Sequence, residues 1–164
     1  MFCYQCEQTA KSEACTVRGV CGKDDEVAAL QDALVYALKG LALVTDKAKA
    51  EDLVPSDTYP FLAEGLFVTL TNVNFDPDAI ARWTREACER RDALLAGLRA
   101  KQPDVTFSEA PVAFVPAADQ AGLIAQGREH DINTEASSDE NIRSLQHTIL
   151  YGLKGVAAYA FHAA

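Results

Sequence analysis

Apolar positions recur at spacings of three and four along most of this chain. Leu30, Leu34, Leu38 and Leu41 lie on one face of a helix that starts at Asp24 or Asp25 and fades near Lys49, with Pro55 beyond it. Either aspartate is a suitable cap. A second helical stretch runs from about Tyr59 to Thr71 and carries Leu62, Leu66 and Leu70. Asn72 to Asp76 reads as a turn. Asp76 followed by Pro77 is a cap with proline at the first helical position. Ile80, Trp83, Ala87, Leu94 and Leu98 then carry a third stripe to about Ala100, and Pro103 ends it.

Residues 103–136 are less regular. Val112 to Val115 reads as a brief extended piece and Ala117 to Gln126 as a short helix stopped by Gly127. Ser137 with Glu140 three residues later has the form of a capping box. A last helix follows from about Asp139 to the end. No segment of any length shows the strand period of two, so the pattern predicts an all-α chain. Three helices on short connections predict a three-helix bundle over 25–102.

One stretch is echoed. LQDALVYALKGLA at 30–42 matches LQHTILYGLKGVA at 145–157, pairing Tyr36 with Tyr151, Lys39 with Lys154 and Gly40 with Gly155. Two leucine-rich helices share a stripe by chance more readily than they share Gln, Tyr, Lys and Gly in register. The echo therefore predicts two related bundles. The segment 137–164 is then the first helix of the second bundle, which is cut short.

Charge and composition narrow the partners. The formal net charge is −9, and neither a nucleic acid nor an anionic membrane suits so acidic a chain. No secretory leader pattern opens the sequence, and no apolar run approaches the roughly 18 residues of a membrane span. A cytoplasmic setting is expected. In that compartment clustered cysteines bind metals or act in redox chemistry more often than they form disulfides.

Residues 1–24 have neither helical nor strand period, and four of the five cysteines fall there, as Cys3-x2-Cys6-x8-Cys15-x5-Cys21. Thiolates are soft donors that suit iron–sulfur clusters, Zn and Cu(I), and four of them are the usual holder of a [4Fe–4S] or [2Fe–2S] cluster. A Cys-x2-Cys pair reaches neighbouring corners of a cluster, and the longer spacers let the chain loop round to the rest. Gly19 and Gly22 permit tight turns beside Cys21. Lys11, Arg18 and Lys23 either offset an anionic cluster or are solvated. A structural Zn site stays open, although Zn sites usually space two close pairs; disulfides are the third reading. The lone Cys88 reads as a structural core cysteine, His130 as a solvated loop residue, and His147 and His162 as too far apart to share a metal.

The opening MFCYQCEQTAKSEACTVRGVCGK resembles the start of the hybrid cluster proteins, also called prismane proteins or hydroxylamine reductases. The resemblance continues through EVAALQDALVYALKGLAL, FVTLTNVNFD and LYGLKGVAAYAFHAA, and so covers essentially the whole chain. It implies an N-terminal domain of two three-helix bundles, with Cys3, Cys6, Cys15 and Cys21 as ligands of a [4Fe–4S] cluster. That cluster passes electrons from a redox donor protein to a hybrid iron–sulfur–oxygen cluster where hydroxylamine or nitric oxide is reduced. In such proteins the ligands of the hybrid cluster lie in later domains, so none maps here. The chain is then an electron-transfer domain whose partners are the missing C-terminal catalytic domains. Divided accordingly, it has a cluster-binding loop at 1–24, a first bundle at 25–102, a connection at 103–136 and the truncated second bundle at 137–164. A helical interaction module with a four-cysteine Zn clip, and a nitric-oxide or redox sensor, are the competing readings.

Overall fold

The computed structural model of the protein describes residues 1–6, 13–131 and 139–163. Among these the chain is all-α, with five helices, one 3-10 turn and no strand. The helices are α1 (Asp25–Lys49), α2 (Thr58–Phe67), α3 (Pro77–Lys101), α4 (Gln120–Glu129) and α5 (Glu140–Ala163).

Helix α1 is the axis of the core. Asp24 caps it by accepting from the Val27 amide at 2.8 Å. Asp25 and Glu26 in the first turn and Lys47 and Lys49 in the last match the helix dipole. Leu30, Leu34 and Leu41 are fully sealed from solvent, each contributing roughly 2–3 kcal/mol of hydrophobic stabilisation. Helices α3 and α4 and the 3-10 turn Ala110–Ala113 all pack on α1. The α4 contact is backbone to backbone: a Cβ at Gly127 would lie 1.9 Å from the Ala29 carbonyl oxygen. By length and composition α1 is also apolar enough to cross a membrane, but 78% of the qualifying window is buried inside the fold. Its apolarity is that of a core helix packed on several sides.

Several boundaries depart from the periodicity. Helix α2 ends at Phe67 rather than near Thr71, because the chain tightens into turns that lead to Asn72 at φ 60°. Residues 110–113 form a 3-10 turn where an extended piece was expected. The buried Arg91 guanidinium draws the Pro111 and Phe114 carbonyls inward, at 3.2 and 2.7 Å. The short helix starts later than Ala117 and continues through Gly127. Asp119 caps it from the Gly122 amide at 2.7 Å, while Gln126 folds back to accept from the Ala117 amide at 2.8 Å. Gly127 is thus a contact glycine rather than a stop. Helix α5 is capped by Asp139, which accepts from the Asn141 and Ile142 amides at 2.9 and 3.3 Å. The capping box expected from Ser137 lies outside the described residues, as does Lys11.

The two echo helices sit in unlike surroundings. Most of α1 is buried, whereas α5 buries only Lys154 and Ala157. Gly40 receives Pro111 so closely that a Cβ would stand 2.3 Å from its carbonyl oxygen, while among the described residues a Cβ at Gly155 would meet no atom of another element within 4 Å. Helix α5 packs along α2, where Phe161 stacks on Phe67 with ring centroids 4.7 Å apart, and its middle touches the cysteine segment.

Candidate metal centre

The N-terminal segment is pinned against α1 by its own backbone. Cys3 and Cys15 form an isolated antiparallel bridge, with N–H to carbonyl distances of 3.0 and 2.8 Å. Both side chains are buried and pack against Ala28 and Met1. The Met1 amine pairs with Asp25 at 3.1 Å. Cys6 and Cys21 are half-buried, and all five cysteines carry free thiols.

Cys21 sits at the tip of a closed turn. The Gly19 amide donates to the Lys23 carbonyl and the Gly22 amide to the Gly19 carbonyl, both at 2.8 Å. Gly22 takes φ +93°, which disfavours any side chain. A Cβ at Gly19 would stand 3.1 Å from the Cys21 sulfur and 3.0 Å from the Lys23 Cβ. The Arg18 Nε caps the turn from outside through the Gly22 carbonyl at 3.1 Å.

Between Cys3 and Cys6 lie Tyr4 and Gln5, and both echo helices close on them. From α1, Asp32 accepts from the Gln5 amide nitrogen. From α5, the Tyr151 hydroxyl donates to the Tyr4 carbonyl. Lys154 Nζ donates to the Gln5 carbonyl at 3.1 Å and to the Gln5 side-chain oxygen. His147 stacks on Tyr4 with ring centroids 4.7 Å apart, and its buried Nε2 has no hydrogen-bond partner among the described residues.

Two buried cations flank the segment. Lys23 is 3% exposed and donates to the Gln31 side chain and, at 3.5 Å, to the Thr69 carbonyl. Lys154 is 1% exposed. Burial pushes the Lys154 ammonium down to about 7, with Lys23 acting the same way and Asp32, Cys3 and Cys6 opposing. Burial pushes the Asp32 carboxyl up to about 7 against its hydrogen bond from Gln5. The Cys3 thiol is also raised by burial, with Lys23 the strongest opposing influence. Of the flanking cations expected at the outset, Arg18 is exposed and Lys23 is not. The sequence reading missed Asp32, Gln5 and Lys154 as neighbours of the cysteines; the echoed Lys of the LKG motif was the signal that pointed to one of them.

The other candidates fall elsewhere. Cys88 is buried on α3, its thiol pushed up to about 11 by burial. His130, expected in solvent, is half-buried and stacks on Tyr36 with centroids 4.0 Å apart. His147 and His162 face different neighbours, Tyr4 and Phe67 respectively.

Among the described residues no three His, Cys, Asp or Glu side chains gather tightly enough for one ion. The donor set nevertheless fits an iron–sulfur cluster. It is made of soft thiols, all free, with Gly19 keeping a Cβ from crowding the Cys21 sulfur, and a polynuclear cluster holds its thiolates farther apart than a single ion does.

A family model described as Prismane/CO dehydrogenase family matches residues 1–164. A protein named hydroxylamine reductase from Methanocella arvoryzae is 51% identical over 164 residues, covering 99% of this chain and 30% of the relative. The hydroxylamine reductase of Solidesulfovibrio magneticus is 51% identical over 165 residues, covering 100% of this chain and 30% of the relative. That of Geobacter sulfurreducens is 44% identical over 169 residues, covering 99% and 30%. The chain thus spans under a third of the length of these relatives.

Proposed function

The chain belongs to the Prismane/CO dehydrogenase family, and on that premise we propose that it is the iron–sulfur electron-transfer domain of a hydroxylamine reductase. Cys3, Cys6, Cys15 and Cys21 hold one [4Fe–4S] cluster through their thiolates. When bound, that cluster takes up and releases single electrons. The observation that carries the reading is the placement of four free thiols on one segment, backed by two buried ammonium groups.

The protein's own residues have separable tasks. The Cys3–Cys15 bridge fixes two thiols at the base of the segment, and the Gly19–Lys23 turn presents the third. Tyr4 and Gln5, gripped from α1 and α5, set the direction of Cys6 relative to Cys3. Lys23 and Lys154 offset the negative charge that four thiolates bring. Cys6 and Cys21 are only half-buried, and a redox donor protein would reach the cluster from these partly exposed thiols. The electrons would serve hydroxylamine reduction in the part of the longer hydroxylamine reductases that this chain does not span, where the family resemblance implies a hybrid iron–sulfur–oxygen cluster would be held. The LKG echo supports a second bundle built on α5.

The test is electron uptake. Reconstituted without oxygen, the chain is expected to be brown, to bleach on reduction by one electron and to recover its absorbance on oxidation. A brown protein that neither bleaches nor recovers would overturn the electron-transfer role.

A further inference from the structure

Lys154 is the largest of the fully buried side chains among the described residues, at 1% exposure. A buried ammonium is costly, and an apolar side chain of like volume usually serves stability as well or better. The shared LKG motif does not by itself force this burial, because the matching Lys39 on α1 is only half-buried. What Lys154 touches is specific. Its Nζ donates twice to Gln5, through the main-chain carbonyl at 3.1 Å and through the side-chain oxygen, and the Gln5 amide nitrogen then donates to Asp32. An ammonium–amide–carboxylate chain therefore runs from α5 to α1 through the residue that precedes Cys6.

We infer that Lys154 is the positioning residue of the Cys3–Cys6 pair: it fixes the turn between the two thiols and, when protonated, sets a cation behind them. The charge half of this inference rests on the cluster reading above, whereas the positioning half does not. A cation beside an anionic cluster favours the reduced, more negative state. Lys154 thus raises the reduction potential of whatever cluster the thiolates hold. It also makes the second echo helix, rather than the N-terminal segment alone, responsible for that potential.

Two measurements on Lys154→Met and Lys154→Arg test this. In the metal-free protein, alkylation of each cysteine is followed by mass spectrometry, with buried Cys88 on α3 as the internal reference for global opening. Lys154→Met is expected to speed labelling of Cys3 by roughly tenfold or more while Cys88 stays protected, because local opening becomes easier. Lys154→Arg should return Cys3 to within about threefold of the parent. Parental labelling of Cys3 in Lys154→Met would overturn the inference, as would Cys3 and Cys88 accelerating together in both variants. In the reconstituted protein, Lys154→Met is expected to shift the oxidised-to-reduced equilibrium about tenfold toward oxidised, or ~59 mV for one electron, with Lys154→Arg near the parental value. An unchanged potential in Lys154→Met would overturn the charge role. If the parent itself takes up no iron and sulfide, the cluster reading fails, and the alkylation result still decides the positioning role.

Discussion

Cys3 and Cys15 are joined through their backbones rather than their sulfurs. Each amide donates to the other's carbonyl, at 3.0 and 2.8 Å, while both thiols stay free. The bridge therefore survives loss of either sulfur. Cys15→Ser is expected to keep the helical content and unfold within about 1 kcal/mol of the parent in the metal-free state, yet to lose bound iron. Iron content and urea unfolding, measured on the same preparation, check both halves.

The turn at Cys21 depends on a missing side chain. A Cβ at Gly19 would meet the Cys21 sulfur at 3.1 Å and the Lys23 Cβ at 3.0 Å. Gly19→Ala should lower iron uptake several-fold with little effect on the α1 core. Gly22→Ala adds strain at φ +93°, of about 1 kcal/mol, and should weaken uptake less. Reconstitution titrations of the two variants side by side give the order.

Asp32 gives the metal-free protein a distinctive pH dependence. Its folded carboxyl titrates at about 7, raised from 3.8 chiefly by burial. Between those values the folded state keeps a proton that the unfolded chain releases. This contribution to stability is therefore full below about pH 4 and is lost as pH rises toward 7. Asp32→Asn keeps an oxygen for the Gln5 amide and removes the titration. Denaturant midpoints between pH 4 and 7 should fall in the parent and flatten in Asp32→Asn.

Arg91 is 2% exposed and binds the Pro111 and Phe114 carbonyls. Arg91→Ala leaves both without that donor and opens a void beneath the 3-10 turn. A loss of about 3 kcal/mol is expected, read as a lower thermal midpoint. The cysteine segment lies against α1 and α5 instead, so iron uptake below the transition should be near normal.

Much of this was legible beforehand, for physical reasons. The leucine stripe of α1 and the Asp76–Pro77 start of α3 are local signals, and both helices stand where the pattern puts them. The Val112–Val115 segment misled because its conformation is set from afar by Arg91, a residue some twenty positions earlier. Gly127 misled because a glycine that admits a neighbouring backbone and a glycine that ends a helix look alike in sequence. At the candidate site the four cysteines were visible by spacing alone. The grip on Tyr4 and Gln5 was not, since it joins residues that lie far apart along the chain, Asp32 and Lys154, with burial that no local pattern reports. Only the echoed LKG hinted that the second helix mattered.

The central claim is that Cys3, Cys6, Cys15 and Cys21 hold an iron–sulfur cluster. Anaerobic reconstitution with iron and sulfide, followed by metal and sulfide analysis and EPR of the reduced sample, tests it most directly. The account predicts iron and sulfide in the proportions of one [4Fe–4S] cluster per chain, with a paramagnetic signal that disappears in Cys15→Ser. A colourless protein that retains one Zn per chain under the same treatment, and shows no such signal, would contradict it.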